Sequence, residues 1–394
     1  MKTSVNALEL RAALKEIEVL ARKKHTVNIL ASVLLIVENG KLLLYGTDYD
    51  QNLHTEVNAG RGECESGSAC VNATKLLKSL AAFGKNDTVE LQAEAEKNVH
   101  TIKVRGGTFQ VKLPGIPPED YPEFRTSIED FQRSKKWQIP TATLRELLDR
   151  GTYCMSTDES RMNLTGAHFD VACGERVTLR VTATDGHRLA SVMRSIASGG
   201  ADEIDAIASR VGVETLKRVV KAADKIGGIP FVSLSVDKAF LSFCVGGTIL
   251  QIRTIEDTYP DWHKVVPKSK KLVATVDRAA LGAMVSRMAK VIVENGKHGG
   301  VVIDREHEHA PVCVSMENAG DQLRVSDTLE DCSLGAGNKA ALYMNFRYIL
   351  DALAALGDDT FVKLSAKDAF APVSFDTPGA VENENIHIVM PMRR

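Results

Sequence analysis

Three stretches of this 394-residue chain are versions of one another, and a fixed internal period constrains the fold more than any motif does. Helix-spaced apolar residues open each copy. Leu8-x-Leu10-x-x-x-Leu14 is followed 134 residues on by Leu144-x-x-Leu147-Leu148, and 137 further on by Leu281-x-x-Met284-Val285. A strand-like run ends in Thr47-Asp48, and Leu179–Thr184 followed by Asp185-Gly186 repeats it at an offset of 137; Val312–Met316 is a weaker third echo. A second helical pattern, Lys75–Gly84, returns 273 residues later as Leu350–Gly357, with Val213–Val220 running to Gly227-Gly228 between them. Tyr121-Pro122-Glu123-Phe124 recurs as Tyr259-Pro260-Asp261-Trp262 at an offset of 138. Four markers on one period predict three tandem domains, 1–133, 134–271 and 272–394. Gly84 and Gly357 are predicted to cap their helices in the left-handed conformation.

Between the helices lie β-rich runs such as Ser32–Val37, Thr108–Leu113 and Phe240–Val245, punctuated by Asn39-Gly40, Gly106-Gly107 and Gly246-Gly247 as hairpin turns. Each domain is therefore expected to be α+β, two helices packed on antiparallel sheet. With 44% hydrophobic and 25% charged residues, the chain can bury a sizeable core. The formal charge of −2 means that a polyanionic partner has to be met by a local basic face. Only 5% of residues are aromatic, which argues against stacking platforms for single strands. No apolar run approaches 18 residues, and the start has no secretory character, so a soluble cytoplasmic protein is expected, without membrane contact. The seven cysteines are scattered, with no C-x-x-C pair, and read as reduced thiols.

Sharper chemistry finds little support. Asp185-Gly186-His187 could be an acid/base pair, but no G-x-S-x-G elbow or matching serine accompanies it. Glu306-His307-Glu308-His309 reads as an exposed hairpin tip rather than a metal cluster, and Gly296-Lys297-His298-Gly299-Gly300 lacks the spacing of a phosphate loop. No catalytic residue, metal site or cofactor is expected.

Three strings carry a family resemblance: Ala183-Thr184-Asp185-Gly186-His187-Arg188-Leu189, Tyr259-Pro260-Asp261-Trp262 leading to Pro267-Lys268, and the terminal Val389-Met390-Pro391-Met392-Arg393. With the three-block order, they make the chain resemble the bacterial sliding-clamp family, the beta subunit of DNA polymerase III. The resemblance implies a head-to-tail homodimer that closes a ring of six domains around duplex DNA, helices lining the channel, with no enzymatic step of its own. It implies sequence-independent phosphate contacts from Arg22, Lys23, Lys24, Lys75, Lys78, Arg145, Arg210, Arg218 and Lys221. Arg11, Lys15, Arg278 and Arg287 are further basic helix residues, although any one of these side chains could simply solvate a helix face.

The resemblance also implies a groove that takes short peptides from the polymerase III catalytic subunit, the clamp loader and other partners carrying a clamp-binding motif. Its matching residues are Leu164, Thr184, Gly186, His187, Arg188, Leu189, Pro267, Val389, Met390, Pro391, Met392 and Arg393. Arg347 stands beside the groove where the family often has a small polar residue, and the chain ends in Arg394 where an aliphatic residue is common. Phe109 and Val111 on the first domain, with Ile292 and Val293 on the third, match the seam between protomers. The alternatives are a clamp-like paralogue serving a specialised polymerase or an accessory replicon, and a metal-dependent nucleic-acid enzyme.

Overall fold

The computed structural model describes residues 1–393 apart from 22–27, 61–63, 97–98, 123–130, 132, 198–202, 238, 293–299, 305–310, 319–322, 330–331, 335–340, 358, 380 and 382. The order of elements makes the repeat explicit. The first copy runs β1 (Lys2–Asn6), α1 (Ala7–Ala21), β2 (Ser32–Glu38), β3 (Lys41–Thr47), β4 (Gln51–Asn58), β5 (Gly67–Asn72), α2 (Ala73–Leu80), β6 (Thr88–Glu96), β7 (Val99–Gly106) and β8 (Phe109–Ile116). The second runs β9 (Trp137–Pro140), α3 (Thr141–Gly151), β10 (Gly166–Cys173), β11 (Val177–Thr184), β12 (Arg188–Ser195), β13 (Ile204–Ser209), α4 (Arg210–Ile226), β14 (Phe231–Val236), β15 (Phe240–Val245) and β16 (Thr248–Arg253). The third is β17 (Lys271–Asp277), α5 (Arg278–Ile292), β18 (Gly300–Asp304), β19 (Val312–Asn318), β20 (Leu323–Leu329), β21 (Cys332–Leu334), β22 (Leu342–Asn345), α6 (Phe346–Ala355), β23 (Phe361–Ala366), β24 (Val373–Asp376) and β25 (Asn385–Val389). Short β21, paired with β17, is its one addition among the described residues.

Each copy builds two four-stranded antiparallel half-sheets. In the first they are β5-β2-β3-β4 and β1-β6-β7-β8, and the other copies repeat the pattern with their own strands. Half-sheets of successive copies then fuse at their edges, β4 with β16 (Leu53 opposite Leu250) and β12 with β25 (Leu189 opposite Ile388). The chain consequently packs as two compact units. One is Met1–Ala142 with Ala197–Asp202 and Val211–Thr254, and the other is Thr143–Ile196 with Glu203–Arg210 and Ile255–Arg394.

The helices form where strands end at a capping side chain. Asn6 Oδ1 accepts from the Leu8 and Glu9 N–H groups at 2.9 and 3.1 Å, Asn72 Oδ1 from Lys75 at 3.0 Å, Asp277 Oδ1 from Ala280 at 2.7 Å and Asn345 Oδ1 from Arg347 at 2.9 Å. Each satisfies an amide that the first turn leaves open. Along α1, Leu10, Leu14 and Ile17 recur at helical spacing and are fully buried. They approach β3 so closely that a Cβ on Gly46 would sit 2.5 Å from Ile17 Cγ2. The hairpins behave as predicted: Asn39 and Gly40 have φ of 50° and 73°, Gly246 and Gly247 57° and 90°.

Gly84 corrects the sequence reading. Helix α2 ends at Leu80 with Ala81 as a right-handed cap, and the next turn is closed by Ala82 and Phe83 donating to Ser79 and Leu80. Gly84 thus falls beyond the helix and outside the left-handed region, donating instead to Asp87 Oδ2 at 2.7 Å. Gly357, at φ 71°, does adopt the left-handed form. Among the described residues no helix is long and apolar enough to cross a membrane.

Candidate functional site

In the second unit, the turn between β11 and β12 is fixed by its own side chains. Thr184 Oγ1 accepts from the Gly186 N–H at 3.1 Å and donates to the Arg188 carbonyl at 2.7 Å. Asp185 Oδ1 accepts from the main-chain N–H of His187 at 2.9 Å and of Arg188 at 3.0 Å, while Oδ2 takes Arg188 Nε at 2.9 Å. Gly186 holds φ at +88°, a value that few side chains tolerate. This wiring answers the acid/base reading of Asp185 and His187: the carboxylate engages an amide, not the imidazole, and serves to shape a turn.

Arg188 is the centre of the arrangement. A second carboxylate, Asp351 on α6, takes its Nη1, and the guanidinium lies 4.6 Å over the Tyr348 ring and 5.6 Å over Tyr153. His187 remains exposed, its ring 6.4 Å from Tyr348 and nearly parallel to it. Leu189 turns to the opposite side and is buried with Trp262, Ile386 and Ile388.

The tail is joined to this turn by backbone bonds. Arg188 pairs with Val389 across β12 and β25, Met390 N–H donates to the His187 carbonyl at 2.8 Å, and Met392 N–H donates to the Tyr343 carbonyl at 2.7 Å. Val389 is buried in the core beneath α6, whereas Met390, Pro391 and Met392 are half-buried and Arg393 is exposed. An adaptable apolar ridge therefore runs beside a fixed cation. Leu164 closes a 3-10 turn, Met162–Leu164, whose neighbour Arg161 reaches the Asp185 carbonyl at 3.3 Å. Arg347 is exposed on the first turn of α6. Pro267 does not share these contacts; it lines a separate cleft with Trp262, Val266 and Ile386. Arg394 lies outside the described residues.

Tyr153, Tyr348 and Asp351 complete the site and were missed in the sequence. Tyr348 and Asp351 stand three apart on α6, a spacing that puts them on one helix face and is the signal that was available. Beneath them, burial pushes the Tyr153 phenol and the Cys154 thiol well up, so neither is a nucleophile. Burial, then the charges of Arg150 and Arg194, lowers the His387 imidazole to about 3. The neutral ring shares a hydrogen bond between its Nδ1 and the Tyr153 hydroxyl at 3.3 Å.

The basic residues divide into two groups. Lys75 and Lys78 on α2, Arg145 on α3, and Arg218 and Lys221 on α4 are exposed, while Arg210 is half-buried at the start of α4. Arg22, Lys23 and Lys24 lie outside the described residues. Arg11 and Arg278 do a different job. Arg11 donates to the Phe83 carbonyl at 3.2 Å just beyond α2, and Arg278 to the Leu353 and Asp359 carbonyls at 3.4 and 2.8 Å around the end of α6. A cation is favoured at such a C-terminus, where carbonyls are left open. Arg287 pairs with Asp327. Together the six described helices hold 15 Lys and Arg against 8 Asp and Glu, net +7, so the rest of the chain carries −9 of the total −2.

Of the seam residues, Phe109 is 50% exposed and Val111 half-buried, both on β8. Ile292 is instead 3% exposed inside the core of its own unit, because α5 turns that position inward and presents Val291, 53% exposed. Val293 and the Glu306–His309 cluster lie outside the described residues.

Family models describing the DNA polymerase III beta subunit match the chain twice, the N-terminal domain over residues 1–125 and the central domain over residues 138–261. The beta sliding clamp of Salmonella typhimurium is 27% identical over 395 residues, covering 100% of both chains. That of Pseudomonas putida is 25% identical and covers 98% of this chain and 99% of the other. A solved structure of the C. crescentus beta sliding clamp has a TM-score of 0.87 at 23% identity, covering 100% of this chain and 99% of that one.

Proposed function

The chain belongs to the DNA polymerase III beta-subunit family, and on that premise we propose that it is a DNA sliding clamp, two copies closing head to tail into a ring that tethers a polymerase to duplex DNA. Its three domains, 1–133, 134–271 and 272–394, are three versions of one repeat, and two chains supply the six domains of the ring. Within the chain, the fourth strand of one half-sheet pairs with the last strand of the following copy: β4 with β16, then β12 with β25. Extending the rule leaves β20 of the third copy and β8 of the first as the remaining pair; they are not paired with each other among the described residues, and a second copy supplies each with its partner.

The state of those edges carries the proposal. Strand β20 is the terminal strand of its sheet, and β8 pairs with β5 only at Gly115 and Ile116, leaving Phe109–Leu113 open on that side among the described residues. Both edges alternate apolar and polar residues, with Phe109 and Val111 on one and Leu323 and Val325 on the other. An open edge of this kind calls for a partner strand. Leu323 and Val325 take the place in the seam that Ile292 does not fill.

Such a ring needs no catalytic step or cofactor. Lys75, Lys78, Arg145, Arg218 and Lys221 exchange equivalent phosphates as the ring slides, while escape requires opening a seam. Partner peptides, including those of the polymerase III catalytic subunit and the clamp loader, dock on the ridge of Met390, Pro391 and Met392 beside Arg188. Binding to a tethered ring is effectively intramolecular, which is how processivity arises. The expected setting is the cytoplasm.

The test is retention on DNA after loading onto a nicked circle. Dimers that persist on the circle and are shed when it is linearised support the proposal. A monomer, or equal release from both forms, overturns it. Charge reversal at Arg218 and Lys221 should lower the salt dependence of loose DNA binding by about two phosphate contacts.

A further inference from the structure

Segment 262–270 crosses the face of the second unit's sheet turned away from α6 and, with Thr377, Gly379, Val381 and Asn383, walls a cleft of about 660 Å3, within the range of ligand sites. Its chemistry is divided. Val266, Pro267 and Ile386 give an apolar strip, and Arg180, Lys268, Lys270 and Lys363 surround it with four cations against one carboxylate, Asp376, among the described lining residues. Asp376 already faces Lys270 at 3.3 Å. Lys268 and Lys363 have no ion pair among the described residues, and Arg180 is held in place by Ser191 Oγ at 3.0 Å and the Asn383 carbonyl at 3.2 Å.

We propose that this cleft docks an acidic stretch of a partner protein, one aliphatic side chain resting on the strip and flanking carboxylates meeting Lys268, Lys363 and Arg180. The chemistry favours a peptide over nucleic acid. Trp262 is only 7% exposed, and His263 stacks on it at 3.8 Å while Arg180 lies 5.3 Å over it, so it offers no free ring face for a base. A cleft of this size does not admit a duplex.

Its position adds a link to the clamp reading, on which the identity of the partner rests. Strand β25 runs from Asn385 and Ile386 in the cleft to Val389 and the Met390–Met392 ridge, three or four residues at about 3.3 Å each. A chain seated on the ridge reaches the cleft with a few further residues, so the acidic stretch belongs to the same partner as the groove peptide and adds to its avidity.

The experiment is fluorescence polarisation on the full-length protein with the labelled peptide Glu-Asp-Leu-Glu-Asp, its amide counterpart Gln-Asn-Leu-Gln-Asn, and a deoxythymidine decamer. The acidic peptide should bind about tenfold tighter than the amide one, and Lys268→Glu with Lys363→Glu should abolish that preference. Removal of Met390–Arg394 should leave it in place. Lys268→Gln with Lys363→Gln repeats the test without introducing repulsion and should weaken binding several-fold, with melting behaviour unchanged. No preference for the acidic peptide, indifference to the lysine changes, or equal competition by the decamer overturns the proposal. Retention of the lysine variants on circular DNA reports separately on the clamp reading.

Discussion

Phe109→Ala is expected to separate the two copies without unfolding either. The ring is 50% exposed in the single chain. A phenylalanine covered on all sides buries roughly 200 Å2, so about 100 Å2 remains for a partner strand to cover, and at about 25 cal/mol per Å2 this amounts to ~2.5 kcal/mol per seam. A closed dimer has two seams, so the loss is ~5 kcal/mol, or more than three orders of magnitude in Kd. Inside the protomer the other half of the ring, also about 100 Å2, is already covered, partly by an edge-to-face contact with Phe83 at 5.5 Å and 75°, so chemical denaturation should register roughly 2–3 kcal/mol, well short of the loss across two seams. Sedimentation velocity across a dilution series measures the dimer directly. Leu323→Ala on β20, where Leu323 is 40% exposed, should act in the same direction. Mixing the two variants adds a geometric check: a head-to-tail pair of one of each carries one doubly altered seam and one intact seam, and should dimerise more tightly than either variant alone. A Phe109→Ala dimer that dissociates within threefold of the wild type would refute the reasoning, because β8 would then not form the seam.

Arg188→Ala leaves Asp185 and Asp351 without their shared cation, and should cost about 1–3 kcal/mol in denaturant titrations while abolishing groove-peptide binding. Arg188→Lys should not restore binding, since a point charge cannot reach both carboxylates and stack on Tyr348; rescue by lysine would contradict the assignment. Acid should destabilise the fold through two buried imidazoles, His387 lowered to about 3 and His54 to about 4, both chiefly by burial. The folded state keeps them neutral while the unfolded chain protonates them below about 6.5, so their contribution is complete above that pH and falls away as pH drops towards 4. At pH 5 the loss is about 2 kcal/mol for each; denaturation midpoints at pH 7 and 5 should differ accordingly, and less so in the His54→Gln, His387→Gln variant. Gly46→Ala places a Cβ 2.5 Å from Ile17 Cγ2 and should cost about 1–3 kcal/mol, with Ile17→Val recovering part of it in thermal melts.

What the sequence disclosed and what it withheld follow one physical distinction. The six described helices and the Asn39-Gly40 and Gly246-Gly247 turns were legible because their signals are local, a 3.6-residue spacing or a residue that tolerates positive φ. Gly84 misled because local spacing does not say at which residue a helix stops, and Ala81 closes α2 first. The roles of the arginines were not legible at all. Arg11 and Arg218 are alike in sequence, but Arg11 is directed to a carbonyl 72 residues away, whereas Arg218 is on an exposed face of α4. The same holds at the proposed groove: Thr184–Leu189 and Val389–Arg393 stood out as strings, but Tyr153 and Asp351 join them only when α6 and the segment after α3 meet Arg188.

The strand junctions are the nonlocal feature with the largest consequence. Nothing in β4 or β16 alone specifies that they pair, and the repeat predicts three equal domains rather than sheets that pass from one copy into the next. Once the β4–β16 junction is known, however, symmetry requires the β12–β25 junction, which is present, and then a third of the same kind, for which one chain has no partner strand. A chain of three copies with two internal junctions always leaves one pair of edges open. Closing that pair within one chain would demand a ring of three repeats, while a second chain closes it twice at the cost of no new contact type. The exposed Phe109 and Leu323 are therefore what a seam built from an already used junction should look like in the separated protomer.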